Sequence, residues 1–246
     1  MGAAVINPFC WPVLPSARRF ARGVLTGNWD AHFDKWYFFA SSKKRKERFE
    51  GYLDAYAKTI KKFCEKTGAW PVIVGMEALD FEACQRLQKK LSADVPIFSS
   101  EKYNAFELTA ILEILSVLIT SRYHARVLSL AAAVPTVAVS MDERLSNIYD
   151  ELGQSDEYCL NVNDPLLAEK LPAAVAPIWR YRNKVSGQLM ERHSVFLESL
   201  GTMGLTLHDF ISSRFPGVSL RAQPDSWSDT LRYSRILNQK NTTRQS

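Results

Sequence analysis

The stretch Ser116-Val-Leu-Ile-Thr-Ser-Arg122-Tyr-His124-Ala-Arg-Val-Leu-Ser-Leu-Ala-Ala-Ala-Val-Pro135 decides the fold. Its apolar opening, residues 116–120, reads as a strand covered on both faces, and residues 125–133 read as a helix. A strand that ends in a guanidinium and an imidazole, where a helix begins, is a natural anion site. The helix start offers unpaired N–H groups and partial positive charge. Arg122 adds a fork of donors for a phosphate or carboxylate, and His124 a group that exchanges protons near neutral pH.

The same alternation extends in both directions. Strands are expected over residues 3–7, 71–75, 95–99, 116–120, 135–140 and 158–162. Between them lie helical stripes. Phe49, Tyr52, Leu53, Tyr56, Ile60 and Phe63 form one, ending near Gly68; Leu145, Ile148, Tyr149 and Leu152 form another, ending at Gly153. Apolar residues three and four apart mark helices packed on a sheet. The fold class expected is therefore α/β, a doubly wound, mainly parallel Rossmann-like sheet with right-handed crossovers and extra C-terminal helices. Two regions break the rhythm. Residues 10–42 read as a long connection rich in aromatics, which covers something, caps the sheet edge or serves function. After Pro172 the pattern is helical to about Leu200, with a shorter helix near residues 207–214. The expected division is 1–172 for the sheet domain, 173–218 for a helical extension and 219–246 for a polar, frayed tail.

Composition narrows the class. The 246 residues are 46% hydrophobic, enough for a substantial core. No run reaches the roughly 20 apolar residues of a spanning helix, and the first residues match neither a secretory nor a myristoylation signal. Cys10, Cys64, Cys84 and Cys159 show no zinc or redox spacing and read as free thiols of a reducing cytosol. The net charge of +5 tempts a nucleic-acid reading, but residues 219–246 carry +3 of it and the other 218 residues only +2. The run Lys43-Lys-Arg-Lys-Glu-Arg48 reads as a solvated helix start, with contact to an anionic membrane surface or a lipid-linked acceptor as the alternative. No nucleic acid is expected as a partner.

In an open parallel sheet, ligands bind beyond the carboxyl ends of the strands. Those ends supply Asn7, Glu77, Ser99, Ser100, Ser121, Arg122, His124, Ser140 and Asp142. Ser100 or Glu101 also suits a helix start, and Asp142 the N-cap of the next helix. His32, His193 and His208 are isolated, and Arg180-Tyr-Arg182 either reaches an anion or lines an exposed helix face. No Gly-rich phosphate loop, HExxH, GxSxG or clustered carboxylate motif occurs, and no metal is demanded.

The order helix, strand, Arg-apolar-His, Ala-rich helix, Pro-led strand and polar turn, from Glu107 to Asp142, resembles the polysaccharide pyruvyl transferase family. The resemblance is strong over residues 95–153, extends back to Val5 and fades after about 175. It implies the C-terminal, donor-type half of a GT-B-like pair of Rossmann domains. It implies transfer of the pyruvyl group of phosphoenolpyruvate to a sugar, or a lipid-linked saccharide, as a ketal, in the building of a cell-surface polysaccharide. Carried over, His124 is the catalytic acid or base and Arg122 binds the donor anion. Asp80 looks like an acidic position after the second strand; of the strand-end residues, Ser121, Ser100, Asp142 and Asn7 are expected to line the substrate site. No cofactor beyond the donor is implied, and the expected place is the cytoplasm, with peripheral contact at the inner membrane face. There are departures. The first strand lacks the Arg that many relatives carry, so a second substrate-binding arginine is either absent or supplied by Arg18 or Arg19; Val134 replaces a Gly; and a preceding domain is missing. A nucleotide-sugar glycosyltransferase half and a non-catalytic binding domain are the competing readings.

Overall fold

All six expected strands form, each a residue or more shorter than its apolar run. In the computed structural model, which describes residues 1–29, 32–92, 94–220, 225, 226 and 228, the chain opens with β1 (Gly2–Ala4). An insertion follows: β2 (Val13–Pro15), α1 (Ala17–Thr26), β3 (His32–Asp34) and β4 (Tyr37–Phe39). Then come α2 (Lys43–Thr67), β5 (Val72–Gly75), a 3-10 turn (Ala78–Asp80), α3 (Phe81–Leu91), β6 (Ile97–Ser99) and α4 (Ala105–Glu113). The core continues through β7 (Leu118–Thr120), α5 (Tyr123–Leu130), β8 (Thr136–Ser140), α6 (Glu143–Glu151), α7 (Ser155–Tyr158) and β9 (Cys159–Asn161). It closes with α8 (Leu167–Arg180) and α9 (Arg182–Arg214).

The main sheet is six-stranded and wholly parallel, in the order β6-β5-β1-β7-β8-β9. Numbered along the sheet's own strands, this is the 3-2-1-4-5-6 order of Rossmann-like folds, with the direction of winding reversing between β1 and β7. Right-handed crossovers put α2 and α3 on one face and α4, α5 and α6 on the other; α8 returns to pack on α2. The expected stripes are the buried faces. Phe49, Tyr52, Leu53, Tyr56, Ile60 and Phe63 are buried on α2, which ends at Gly68 in the left-handed region (φ 70°). On the opposite face Leu108 and Leu112 of α4 and Ala125 of α5 pack with Ala4, Val74 and Leu118 of the strands. After α5 the chain turns through Ala133 at φ 53°, where a glycine would be the easier choice.

The structure corrects two expectations. Residues 10–42 are not a bare connection. They hold a three-stranded antiparallel sheet, β2-β4-β3, with α1 beside it. Ser16 Oγ caps α1 by accepting from the Arg19 N–H, and Phe20 stacks on Trp36 at 3.8 Å while meeting Trp29 edge-on. The helical pattern after Pro172 is also different: α9 runs unbroken to Arg214, because Gly201 and Gly204 weaken helix propensity without stopping the helix. The chain divides into two compact units, Met1–Ser186 and Gly187–Ser246. The first extends beyond the boundary expected at 172, because Leu171, Val175 and Ile178 of α8 are buried within it. Most of the polar tail expected at 219–246 lies outside the described residues. Among those residues no helix is long and apolar enough to cross a membrane.

Gly75 ends β5 where a Cβ would stand 3.3 Å from both Cys84 Sγ and Ser99 Cβ and 3.6 Å from Asp80 Cβ. Gly75→Val should therefore overpack the sheet edge and cost about 1–3 kcal/mol, read as a lower urea midpoint with an unchanged slope.

Candidate functional site at the end of the central strands

The chain leaves β7 through a tight local turn. Thr120 Oγ1 accepts from the Arg122 N–H at 2.8 Å and donates to the Arg122 carbonyl at 3.0 Å. This brackets Arg122 in extended backbone at the N-cap position of α5, and no side chain caps that helix. Its first-turn N–H groups, at Tyr123 and His124, therefore face the rim without a side-chain acceptor.

Arg122 itself is buried, with 9% of its side chain exposed, and it lies between two carboxylates. Its Nη2 contacts Glu77 Oε1, and its Nε stands 3.2 Å from Asp80 Oδ2. Asp80 is fully buried; its Oδ2 accepts from the backbone N–H groups of Met76 and Glu77, both at 3.0 Å. Its other oxygen, Oδ1, has no hydrogen-bond partner. Burial pushes the Asp80 carboxyl up to about 6, against the pull of Arg122 and the two backbone donors. Glu77 is half exposed, so its carboxylate is the member of the trio that solvent reaches.

The remaining predicted residues are distributed along the rim. His124 sits exposed on the first turn of α5, with its ring edge-on to Tyr123 and no hydrogen bond to Arg122. Ser121 is buried, and its Oγ meets the hydroxyls of Tyr52 at 2.9 Å and Tyr56 at 2.8 Å, both from α2. Asp142 caps α6, accepting from the Arg144 and Leu145 N–H groups and pairing with the Arg144 guanidinium at 2.7 Å. Burial raises its carboxyl, but Arg144 and the backbone donors outweigh that and hold it below the usual range. Asn7 closes the turn after β1, its Oδ1 accepting from the Phe9 N–H, and Ser100 is exposed in the turn after β6 with its N–H on the Gly75 carbonyl. The structure thus joins Arg122 with Glu77 and Asp80, and leaves Asn7, Ser100, His124 and Asp142 as separate points of the same edge.

Two features escaped the sequence reading. The Tyr52–Ser121–Tyr56 hydroxyl cluster lay inside a stripe read as apolar; buried tyrosine hydroxyls need partners, which is the signal that was there. Arg126, one turn after Arg122, is fully buried, and none of its guanidinium nitrogens has a hydrogen-bond partner. It lies over the Tyr149 ring at 5.3 Å, and burial lowers its pKa.

Comparison of the chain with protein-family models, with curated proteins and with solved structures returns no match. The described residues hold no cluster of three His, Cys, Asp or Glu able to bind a metal. What the site can do rests on its geometry: a buried guanidinium at the winding reversal, an uncapped helix start, a carboxyl that titrates near neutrality and an exposed imidazole.

Two stability outcomes follow. Asp80 has a folded pKa above its unfolded value, so its contribution is favourable at low pH and is lost as pH rises towards about 6. Arg122→Met removes a group that lowers this pKa, so the loss should continue to higher pH. The variant's unfolding free energy from urea titration should fall further below the parent's at pH 8 than at pH 5, by about 3–5 kcal/mol at the higher pH. Arg126→Met replaces an unpaired buried cation with an apolar chain of similar length, and should be neutral or raise stability by about 1–4 kcal/mol in the same assay.

Proposed function

We propose that this chain is a polysaccharide pyruvyl transferase-like domain of GT-B type, which transfers the pyruvyl group of phosphoenolpyruvate to a sugar as a ketal. The observation that carries the reading is the contact between Arg122 and Glu77 at the junction of β1 and β7. A carboxylate oxygen already stands against Nη2 there, without a hydrogen bond of normal geometry, and its owner is half exposed. A donor bearing a carboxylate and a phosphate would displace Glu77, pair with Arg122 and use the free N–H groups at the start of α5.

The reaction adds two sugar hydroxyls to the enol carbon of phosphoenolpyruvate, protonates its methylene carbon and expels phosphate. Two hydroxyl protons leave the sugar; one is balanced by the new C–H bond and the other by the departing phosphate. His124, exposed on the first turn of α5, is the proposed acid or base for one of these transfers. Arg122 would stabilise the charge gathering on the phosphate. Asp80, with a carboxyl near 6, would hold Arg122 in place and adjust the charge of the trio. Ser121 would act through its packing under the turn, while Asn7, Ser100 and Asp142 would border the donor or the sugar.

Calorimetry with phosphoenolpyruvate, inorganic phosphate and UDP tests the binding step. Glu77→Gln should tighten phosphoenolpyruvate binding several-fold by removing the competing charge, and Arg122→Gln should abolish it. His124→Gln should keep the affinity and lose most phosphate release in the presence of an acceptor-sugar panel. Tight UDP binding with no phosphoenolpyruvate affinity would instead favour a nucleotide-sugar transferase, and unaltered turnover of His124→Gln would remove its catalytic role.

A further inference from the structure

The insertion between β1 and α2 stands apart from the donor chemistry. Residues 8–48, the insertion together with the first six residues of α2, hold nine Lys or Arg against three Asp or Glu, so this segment carries +6, more than the +5 of the entire chain. Arg18, Arg22, Lys35, Lys44 and Lys46 are exposed and form no ion pair among the described residues. Lys43 reaches Glu47 only at 3.9 Å, with both side chains largely in solvent.

The cations are physically tied to an apolar surface. Arg45, in the first turn of α2, donates to the carbonyl of Phe9 at 3.0 Å and to that of Trp11. Trp11 packs edge-on against Phe33 and Phe39, which places the aromatic ribbon beside the cationic helix start. Trp11, Phe33, Trp36 and Tyr37 are each about half exposed, and Leu25 at the end of α1 is 85% exposed. An exposed run of this kind, rimmed by charge, marks a binding surface.

We propose that this insertion, together with the first turns of α2, docks on an anionic lipid bilayer. Tryptophan and tyrosine favour the headgroup level, aliphatic side chains such as Val24 and Leu25 favour the hydrocarbon just below it, and unpaired Lys and Arg favour anionic headgroups. The charge selects this occupant over the others. A second copy would bring +6 against +6. A nucleic acid would satisfy the cations but leave Leu14, Val24 and Leu25 without an apolar partner.

The test is co-sedimentation of the full chain with vesicles of phosphatidylcholine alone and with about a third phosphatidylglycerol, at low and raised salt. Binding should need the anionic lipid and weaken with salt. Lys44→Glu with Lys46→Glu should reduce partitioning more than tenfold, since each cation near the surface is worth roughly a fivefold factor. Leu25→Asp tests the apolar half at a position whose exposure leaves the fold intact, and should also reduce partitioning. Several outcomes overturn the proposal: no sedimentation with anionic vesicles, equal binding to neutral ones, or indifference to both variants. Self-association or RNA binding in place of vesicle binding overturns it as well. Since none of these readouts involves phosphoenolpyruvate, failure here leaves the donor reading untouched, and the reverse is also true.

Discussion

The contact between Arg122 and Asp80 reaches across the end of β1. β5 and β7 flank that strand, and each sends one member of the pair over it. Asp80 can reach because its Oδ2 is already anchored to the first two N–H groups after β5. Gly75, with no Cβ, leaves room beside the Asp80 Cβ, Cys84 and Ser99. Arg122 can reach because Thr120 fixes the turn out of β7. The pair is costly to bury, and removing water from both groups offsets most of their attraction. Its value lies in position. It defines where α5 starts, which way the first N–H groups of that helix point, and how much room is left at the winding reversal.

The rim and the insertion are electrostatic opposites. At the rim each cation has an acid beside it: Arg122 has Glu77 and Asp80, and Arg144 has Asp142. In the insertion and the first turns of α2, Arg18, Arg22, Lys35, Lys44 and Lys46 have no acid paired with them among the described residues. The long-range field of the chain therefore centres on residues 8–48, whereas the rim attracts an anion only at close range, after an internal carboxylate has moved aside. Approach and recognition are in this way assigned to different parts of one domain.

The sheet was legible because its strands are short apolar runs, most of them followed by a helical pattern, and because Gly68 and Gly153 end their helices in the left-handed region. The order of the strands within the sheet was not legible in any residue. The insertion was not legible. Its strands are three residues long, and its aromatics alternate too briefly to establish a period of two. At the site, Arg122 and Glu77 were readable as strand ends, and Asp142 as a helix cap. That Arg122 would lie between two carboxylates was not, since neither Glu77 nor Asp80 is near it in sequence. Arg126 gave no warning at all: a single arginine in an Ala-rich helix looks like a solvent-facing residue, and only the fold places it beside Tyr149.

The aromatic packing of the insertion has an optical consequence. Trp11, Trp29 and Trp36 are half of the chain's six tryptophans, and all three lie in this one small substructure. Trp36 is stacked on Phe20, Trp29 meets the same ring edge-on, and Trp11 leans on Phe33 and Phe39. Much of the chain's intrinsic ultraviolet emission thus originates in the insertion that follows β1, in rings that are partly wet. The molecule carries its own reporter group: any event that dries, wets or re-stacks this cluster will be visible in the emission colour, without a label.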